Sequence, residues 1–519
     1  METKIKQQIQ NYQRPSIDFS PNIPPLRKIK DKTKINVRYC LIAPFAFVHI
    51  YWDSKIYELV YNIEEPLLNK QEFQYKEQIT SVMRDMIDYE IIIEDNKQKL
   101  IEYIDNRLKF LTIELGIDIS YETYRKIFYY LCRDFIGFNE IEPLLRDYFV
   151  EDIECNGVDS HIYIVHRIYR NIKTNILFKD ADKLANFIEK LSQRCEKHIS
   201  YAAPILDGSL PDGSRVNATY TKDITSRGPT FTIRKFTKTP WTPTQLLSLN
   251  TLSAEMLAYL WLLIQYKMNI LITGGTASGK TTLLNAVAFF IPPEARVVSI
   301  EDTRELNLPR ENWIPSVVRN AIGTKQVGEI DLFTLLRSSF RQNPDYVIVG
   351  EVRGKEAFVL FQGMASGHSS ISTMHADSVD TVIKRLETPP IELSPTLVNI
   401  LDCVGIMTHA IVNKQETRKL KQIVEIVNVT PDGIAITNTP YVWNPSDNQF
   451  YFKKNSKIFE KIASRYGLRL EELDLEFRKR VQLIYKLHQN KIFKFKEVQD
   501  IINEYYKKPE EVLKRLGIK

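Results

Sequence analysis

Gly274, four residues, then Gly279-Lys280-Thr281 is a spacing that binds phosphate. The glycines let the backbone curl so that successive N–H groups face an anion at the positive end of a helix. The flanks agree: "NILIT" precedes the loop as a buried strand and "TTLLNAVAFF" follows it as a helix. The expected nucleotide contacts are Gly274, Gly275, Thr276, Ala277, Ser278, Gly279, Lys280, Thr281 and Thr282. Lys280 supplies a point charge to the outer phosphates, and the Thr281 hydroxyl is placed to bind Mg²⁺. Turnover also needs carboxylates to hold the metal and orient water. "ARVVSIEDTREL" puts Glu301, Asp302 and Glu305 after an apolar strand, and "PDYVIVGEVRG" puts Glu351 after another. Strand ends are where an α/β sheet receives its ligand. The bland alternative is a set of solvated acids at loop starts. Next comes "ASGHSSISTMHADS", in which His368 and His375 bracket a short strand-like run. A neutral imidazole N–H beside the terminal phosphate would report whether that phosphate is present.

These residues must be positioned by a chain of 519 residues, long enough for several domains. Hydrophobic residues make up 44% and charged ones 26%, ordinary for a water-soluble protein. The net charge of +6 is weak at this length, so composition makes no case for nucleic-acid binding. The five cysteines, at 40, 132, 155, 195 and 403, lack C-x-x-C spacing, which supports neither a zinc site nor a redox pair and suits reduced thiols in a cytoplasm. The polar N-terminus lacks the apolar core of a signal peptide. The most apolar stretch, "MLAYLWLLIQYKMNILIT", is broken by Gln265, Lys267 and Asn269, so it reads as a helix and a core strand rather than a membrane span.

The expected organisation has six parts. Residues 1–66 form an N-terminal arm and a small strand-containing region, and 67–148 a helical bundle. Within the bundle, apolar residues recur at helical spacing after the N-cap candidate Ser120. Residues 149–237 form a mixed α+β, PAS-like domain; there Leu184, Phe187, Ile188 and Leu191 share one helical face after the cap candidate Asp180. Residues 238–249, with two prolines, read as a linker. From 250 to 435, helix and strand alternate as in a parallel sheet flanked by helices, and 436–519 read as a charged helical region.

The order G-x-x-x-x-G-K-T, "IEDTRE", "VGEVRG", "GH" and "MHA" resembles the type II/type IV secretion ATPases, over roughly residues 140–430. The resemblance implies an α/β fold: a RecA-like P-loop NTPase domain, a mixed α+β N-terminal domain and, here, an additional N-terminal helical region. It implies ATP and Mg²⁺ as cofactors. By position it puts Lys280 and Thr281 on the nucleotide and magnesium contacts, Glu305 on the catalytic glutamate of the Asp box, Glu351 on the Walker B acid that joins Thr281 at the metal, and His368 with His375 on the His box. The family also turns arginines of its N-terminal domain on the terminal phosphate, and "GSRVN", "TSRGP" and "TIRKF" offer Arg215, Arg227 and Arg234. Each arginine has a second reading as a surface ion pair. The four-cysteine zinc insertion of many bacterial members is absent, which agrees with an archaeal or a retraction-type motor.

The implied protein is a cytoplasmic homohexameric ATPase, peripheral at the inner face of the membrane. It works through a polytopic platform protein to build a type IV pilus-like filament or an archaellum, with no direct nucleic-acid contact. The rivals are a conjugation-type traffic ATPase, a ring-shaped DNA translocase and a nucleotide-binding scaffold that does not hydrolyse.

Overall fold

The computed structural model describes residues 9–518 apart from 21–23, 25, 27–28, 30, 87–96, 237–238, 320–327, 413–414 and 454. The chain divides into two compact units, Met1–Phe236 and Thr237–Lys519.

The first unit is built on one sheet of nine strands among the described residues. Strands β1 (Asn36–Ile42), β2 (Ala46–Asp53) and β3 (Glu58–Glu64) form an antiparallel meander. Helices α1 (Lys70–Met86), α2 (Lys97–Glu114) and α3 (Tyr121–Leu131) follow, then a short helical turn over Glu142–Arg146. The Ser120 hydroxyl caps α3 by accepting the Thr123 N–H. The sheet resumes with β4 (Val150–Cys155), β5 (His161–His166) and β6 (Arg170–Leu177). Helix α4 (Ala181–Arg194) starts at its cap Asp180 and buries Leu184, Phe187, Ile188 and Leu191, the face that the spacing predicts. Strands β7 (Ile205–Ser209), β8 (Arg215–Thr219) and β9 (Thr230–Arg234) complete the order β1-β2-β3-β6-β5-β4-β9-β8-β7.

The join between β3 and β6 matters most here. Val60 and Tyr61 pair in parallel with Lys173 and Thr174. The strands expected to form a small separate region therefore extend the sheet of the mixed domain. A buried carboxylate reinforces the join: Asp147 accepts the phenol hydrogens of Tyr39 and Tyr61, both at 2.6 Å, and the Phe149 N–H at 2.8 Å. A buried acid without such donors would be costly, so this cluster holds the three segments in one arrangement. On the helical side, Arg133 binds Glu65 at 2.9 Å and Asp134 at 2.8 Å.

The second unit opens with α5 (Pro243–Ser248), where the sequence reads as a linker. Thr242 caps this helix through a reciprocal bond with Gln245, and the Thr244 hydroxyl donates to the Ile492 carbonyl. Pro243 thus starts a helix docked on the rest of the second unit. Helix α6 (Ala254–Gln265) leads into β10 (Ile270–Gly274) and α7 (Lys280–Ala288). Then come β11 (Val297–Glu301), β12 (Trp313–Val317), α8 (Leu332–Ser339), β13 (Tyr346–Val349), α9 (Glu356–Ala365), β14 (Ser369–Met374), α10 (Val379–Glu387) and β15 (Cys403–Val412). The order β12-β11-β13-β14-β10-β15 is parallel throughout, with helices on both faces. This is the RecA-like α/β fold. Ile270 and Ile272 face one core and Leu271 the other, the alternation a pleated strand imposes.

Antiparallel strands β16 (Gln415–Val429), β17 (Ala435–Asn444) and β18 (Gln449–Phe452) widen this sheet. The expected helical region from 436 therefore begins as sheet, and its helices are α11 (Lys457–Tyr466), α12 (Leu470–Gln489), α13 (Phe495–Lys507) and α14 (Pro509–Arg515). They cover α6, which explains why that helix is apolar on all sides. Trp261 of α6 stacks on Phe290 at 4.9 Å, and the buried Arg480 guanidinium lies 4.8 Å over the same indole. The carbonyls just past α7 are met one by one. Gln499 donates to Phe289, Tyr506 to Phe290, and Arg310 to both Ile291 and Pro292. Among the described residues no helix is long and apolar enough to cross a membrane.

Candidate nucleotide site

The phosphate loop spans the end of β10 and the start of α7 at the carboxyl edge of the parallel sheet. Gly274 has φ +151°, and a Cβ there would lie 2.5 Å from both the Met407 carbonyl oxygen and Ser278 Oγ. Glycine is thus required at that position by space as well as by conformation. Gly279, at φ +94°, is the N-cap of α7. Ala277 is also left-handed at φ +57°, a strained place for a side chain, and Arg418 Nε donates to its carbonyl at 2.9 Å. That arginine comes from β16, so the hairpin β15–β16 braces the loop.

Lys280 is 8% exposed, and its Nζ donates to the carbonyls of Gly274 and Gly275, each at 3.1 Å. Burial lowers its pKa from the ordinary lysine value, and the nearby Glu351 carboxylate opposes that shift. Nζ also lies 3.4 Å from Nδ1 of His375. His375 Nε2, itself 3.5 Å from that Nζ, is 2.8 Å from Glu351 Oε1, at ion-pair distance but off the line of a hydrogen bond, which leaves that oxygen without one among the described residues. Glu351 Oε2 accepts from Arg353 Nε at 2.8 Å. Burial depresses the His375 imidazole; Glu351 pulls the other way, and Lys280 and Arg353 depress it further. The ring is therefore neutral near neutral pH. Lys280, Glu351 and His375 thus meet at the ends of β10, β13 and β14.

The acids after β11 separate by burial. Asp302 and Glu305 are exposed, whereas Glu301 is 1% exposed. Glu301 Oε1 accepts the N–H groups of Glu305 and Leu306, both at 2.9 Å. Its Oε2 has no hydrogen bond among the described residues, and burial pushes the carboxyl up to about 7. Glu305 faces solvent, as Asp302 does.

His368 does not join His375. It sits at the entry to β14, with Nδ1 3.3 Å from the Pro344 carbonyl oxygen and its ring 5.0 Å from Phe340. The two histidines stand at opposite ends of one strand, roughly 20 Å apart at the rise of extended chain. Of the two expected histidines, the structure brings His375 to Lys280 and Glu351 and leaves His368 at the far end of β14.

The three arginines lie in the first unit. Arg215 and Arg234 are direct cross-strand partners of β8 and β9, each with its own acid: Asp207 at 3.3 Å and Asp152 at 3.2 Å. Those acids offset the repulsion of two like charges placed opposite each other. Arg227 lies in the turn before β9, and its carbonyl accepts the Val158 N–H at 3.0 Å.

The residues fit a polyphosphate with a divalent cation. The loop leaves open space at Gly275, where a Cβ would meet nothing within 4 Å, and Lys280 is the buried cation beneath it. Thr281 and Glu351 are the oxygen donors suited to the metal.

Sequence reasoning missed Asn285, Arg353 and Arg418. Asn285 had a signal, being the polar residue inside the apolar run "LLNAVAFF". Arg353 had one in its place two residues after Glu351, and Arg418 had none.

The type II/IV secretion system protein family matches residues 136–428. The chain belongs to that family. An uncharacterized protein of Methanocaldococcus jannaschii is 37% identical over 420 residues, 79% of this chain and 73% of that one. The conjugal transfer protein TrbB of Rhizobium radiobacter is 31% identical over 230 residues, 44% of this chain and 68% of its own. Among solved structures, the VirB11 ATPase of the Brucella suis type IV secretion system, in complex with sulphate, is 24% identical with a TM-score of 0.28, over 55% of this chain and 92% of that one.

Proposed function

We propose that this secretion-family protein is an ATPase that works as a homohexamer at the inner face of the membrane. It drives assembly of a type IV pilus-like filament or an archaellum through a polytopic membrane platform protein. The observation that carries the enzymatic reading is the cluster of Lys280, Glu351 and His375 at the mouth of the phosphate loop.

Lys280 exchanges its two loop carbonyls for the outer phosphates of ATP, which repays its burial with a full charge pair. Thr281 and Glu351 hold Mg²⁺, which when bound neutralises charge building on the transferring phosphoryl group. Glu305 orients the attacking water and accepts its proton. Neutral His375 offers an N–H to the terminal phosphate. Arg215, Arg227 and Arg234 are proposed as cations for that phosphate, in this protomer or a neighbour of the ring.

The test is ATP turnover by Glu351→Gln, which keeps the shape and removes the charge. Turnover falls roughly 100-fold or more while nucleotide binding persists. Wild-type turnover by this variant would overturn the reading. A conjugation-type traffic role is the second reading, favoured by the likeness to a conjugal transfer protein. A DNA translocase would show DNA-stimulated turnover with a steep salt dependence.

A further inference from the structure

Glu305 has a mobile-looking address, exposed in a loop after β11, yet its backbone is gripped from both sides. Its N–H donates to Glu301 Oε1 at 2.9 Å, and the next N–H, that of Leu306, goes to the same oxygen at 2.9 Å. Its carbonyl accepts from Asn285 Nδ2 at 3.2 Å. The same amide takes the Asn307 N–H on its Oδ1 at 3.1 Å, and Nδ2 also donates to the Thr281 carbonyl at 3.2 Å. Both gripping side chains are buried, Glu301 at 1% exposed and Asn285 at 4%. A buried amide or carboxylate is costly unless its hydrogen bonds are made, and here all but one of those bonds go to the backbone of residues 305–307.

Asn285 sits one turn after Thr281 on α7, so one amide touches both the carbonyl of the metal-binding threonine and the loop of the water-binding acid. Glu301 ends the strand that supports that loop. Residues from two different elements therefore converge on the peptide groups that flank Glu305, and neither side chain itself reaches the solvent side where nucleotide binds.

We infer that Glu301 and Asn285 are positioning residues for ATP hydrolysis: together they fix the main chain of Glu305 relative to the phosphate-loop helix. This rests on the reading of Glu305 as the acid that orients water. Misplacement of a reacting group by about 1 Å costs about 100-fold in rate, so the grip matters to turnover far more than to binding.

The experiment compares Asn285→Ala, Asn285→Asp, Glu301→Ala, Glu301→Gln and Glu305→Ala in the full chain. The readouts are kcat, nucleotide Kd and hydrogen exchange of the 305–307 amides. Asn285→Ala and Glu301→Ala lower kcat about 10- to 100-fold with Kd nearly unchanged, and retained binding shows that the variants are folded. Exchange quickens at the Glu305 and Leu306 amides in Glu301→Ala, and at the Asn307 amide in Asn285→Ala. Glu301→Gln keeps an acceptor oxygen and restores most of kcat, whereas Asn285→Asp keeps only the bond to Asn307 and does not. If Glu305→Ala abolishes turnover while Asn285→Ala and Glu301→Ala turn over at the wild-type rate, the positioning role is overturned and the reading of Glu305 stands. If Glu305→Ala itself turns over normally, that reading falls and the positioning role with it.

Discussion

Glu301 gives the residue scale its clearest pH signature. Its folded carboxyl is pushed from the ordinary 4.5 to about 7, chiefly by burial. The native state therefore holds this proton more tightly than the unfolded chain does. The group's contribution to stability is full below about 4.5 and is lost as pH rises toward about 7. The loss is on the order of 3 kcal/mol. Glu301→Gln, neutral at every pH, narrows the difference between thermal midpoints at about pH 5 and about pH 8, which calorimetry reads directly. An unchanged difference would mean that the carboxyl titrates at its ordinary value. At this scale the phosphate loop and Glu351 were legible because their spacing is chemistry written along the chain. The contrast in burial between Glu301 and Glu305 was not, because four residues of separation do not say which acid is buried. His368 misled for a related reason: the same spacing that suggests a pair spans a six-residue strand and separates its ends.

Among elements, the helices after β18 form a cap on the back of the nucleotide unit. Tyr506 ties the cap to that unit, because its hydroxyl donates to the Phe290 carbonyl and accepts from Trp261 Nε1 at 2.9 Å. Tyr506→Phe leaves both partners buried without a mate and costs about 1–3 kcal/mol. For a unit of this size that lowers the thermal midpoint by several degrees, roughly 2–4 °C per kcal/mol, as a melt followed by circular dichroism would record. An unchanged melt would show that Tyr506 does not fasten the cap. Helices α3, α4, α6 and α7 were readable from caps and apolar spacing. Strands β17 and β18 were not, although the turns "TPDG" and "PSDN" announce hairpins, because the charged stretch beyond them reads so strongly as helix. The Pro-rich stretch before α6 reads as a linker for the same reason that it starts a helix: proline fits the first turn.

For the whole molecule, the ring makes the sharpest claim. In the presence of ATP and Mg²⁺, the Glu351→Gln variant traps the bound state, and light scattering then gives the mass of a hexamer. A single-chain mass under those conditions would remove the ring from the proposal. The near-balance of 70 basic and 64 acidic residues agrees with a motor that ignores DNA, and turnover unaffected by added duplex is the matching result.

The parallel seam between β3 and β6 has one more effect. Were the chain to start after β3, β6 would become a raw border with vacant amides and carbonyls, and Asp147 would be stranded without its two phenols. Such a border invites neighbouring chains to add on, so the shortened protein precipitates where the intact one stays dissolved. Strands β1 to β3 serve as a selvedge, keeping the fabric of the first unit from unravelling into its neighbours.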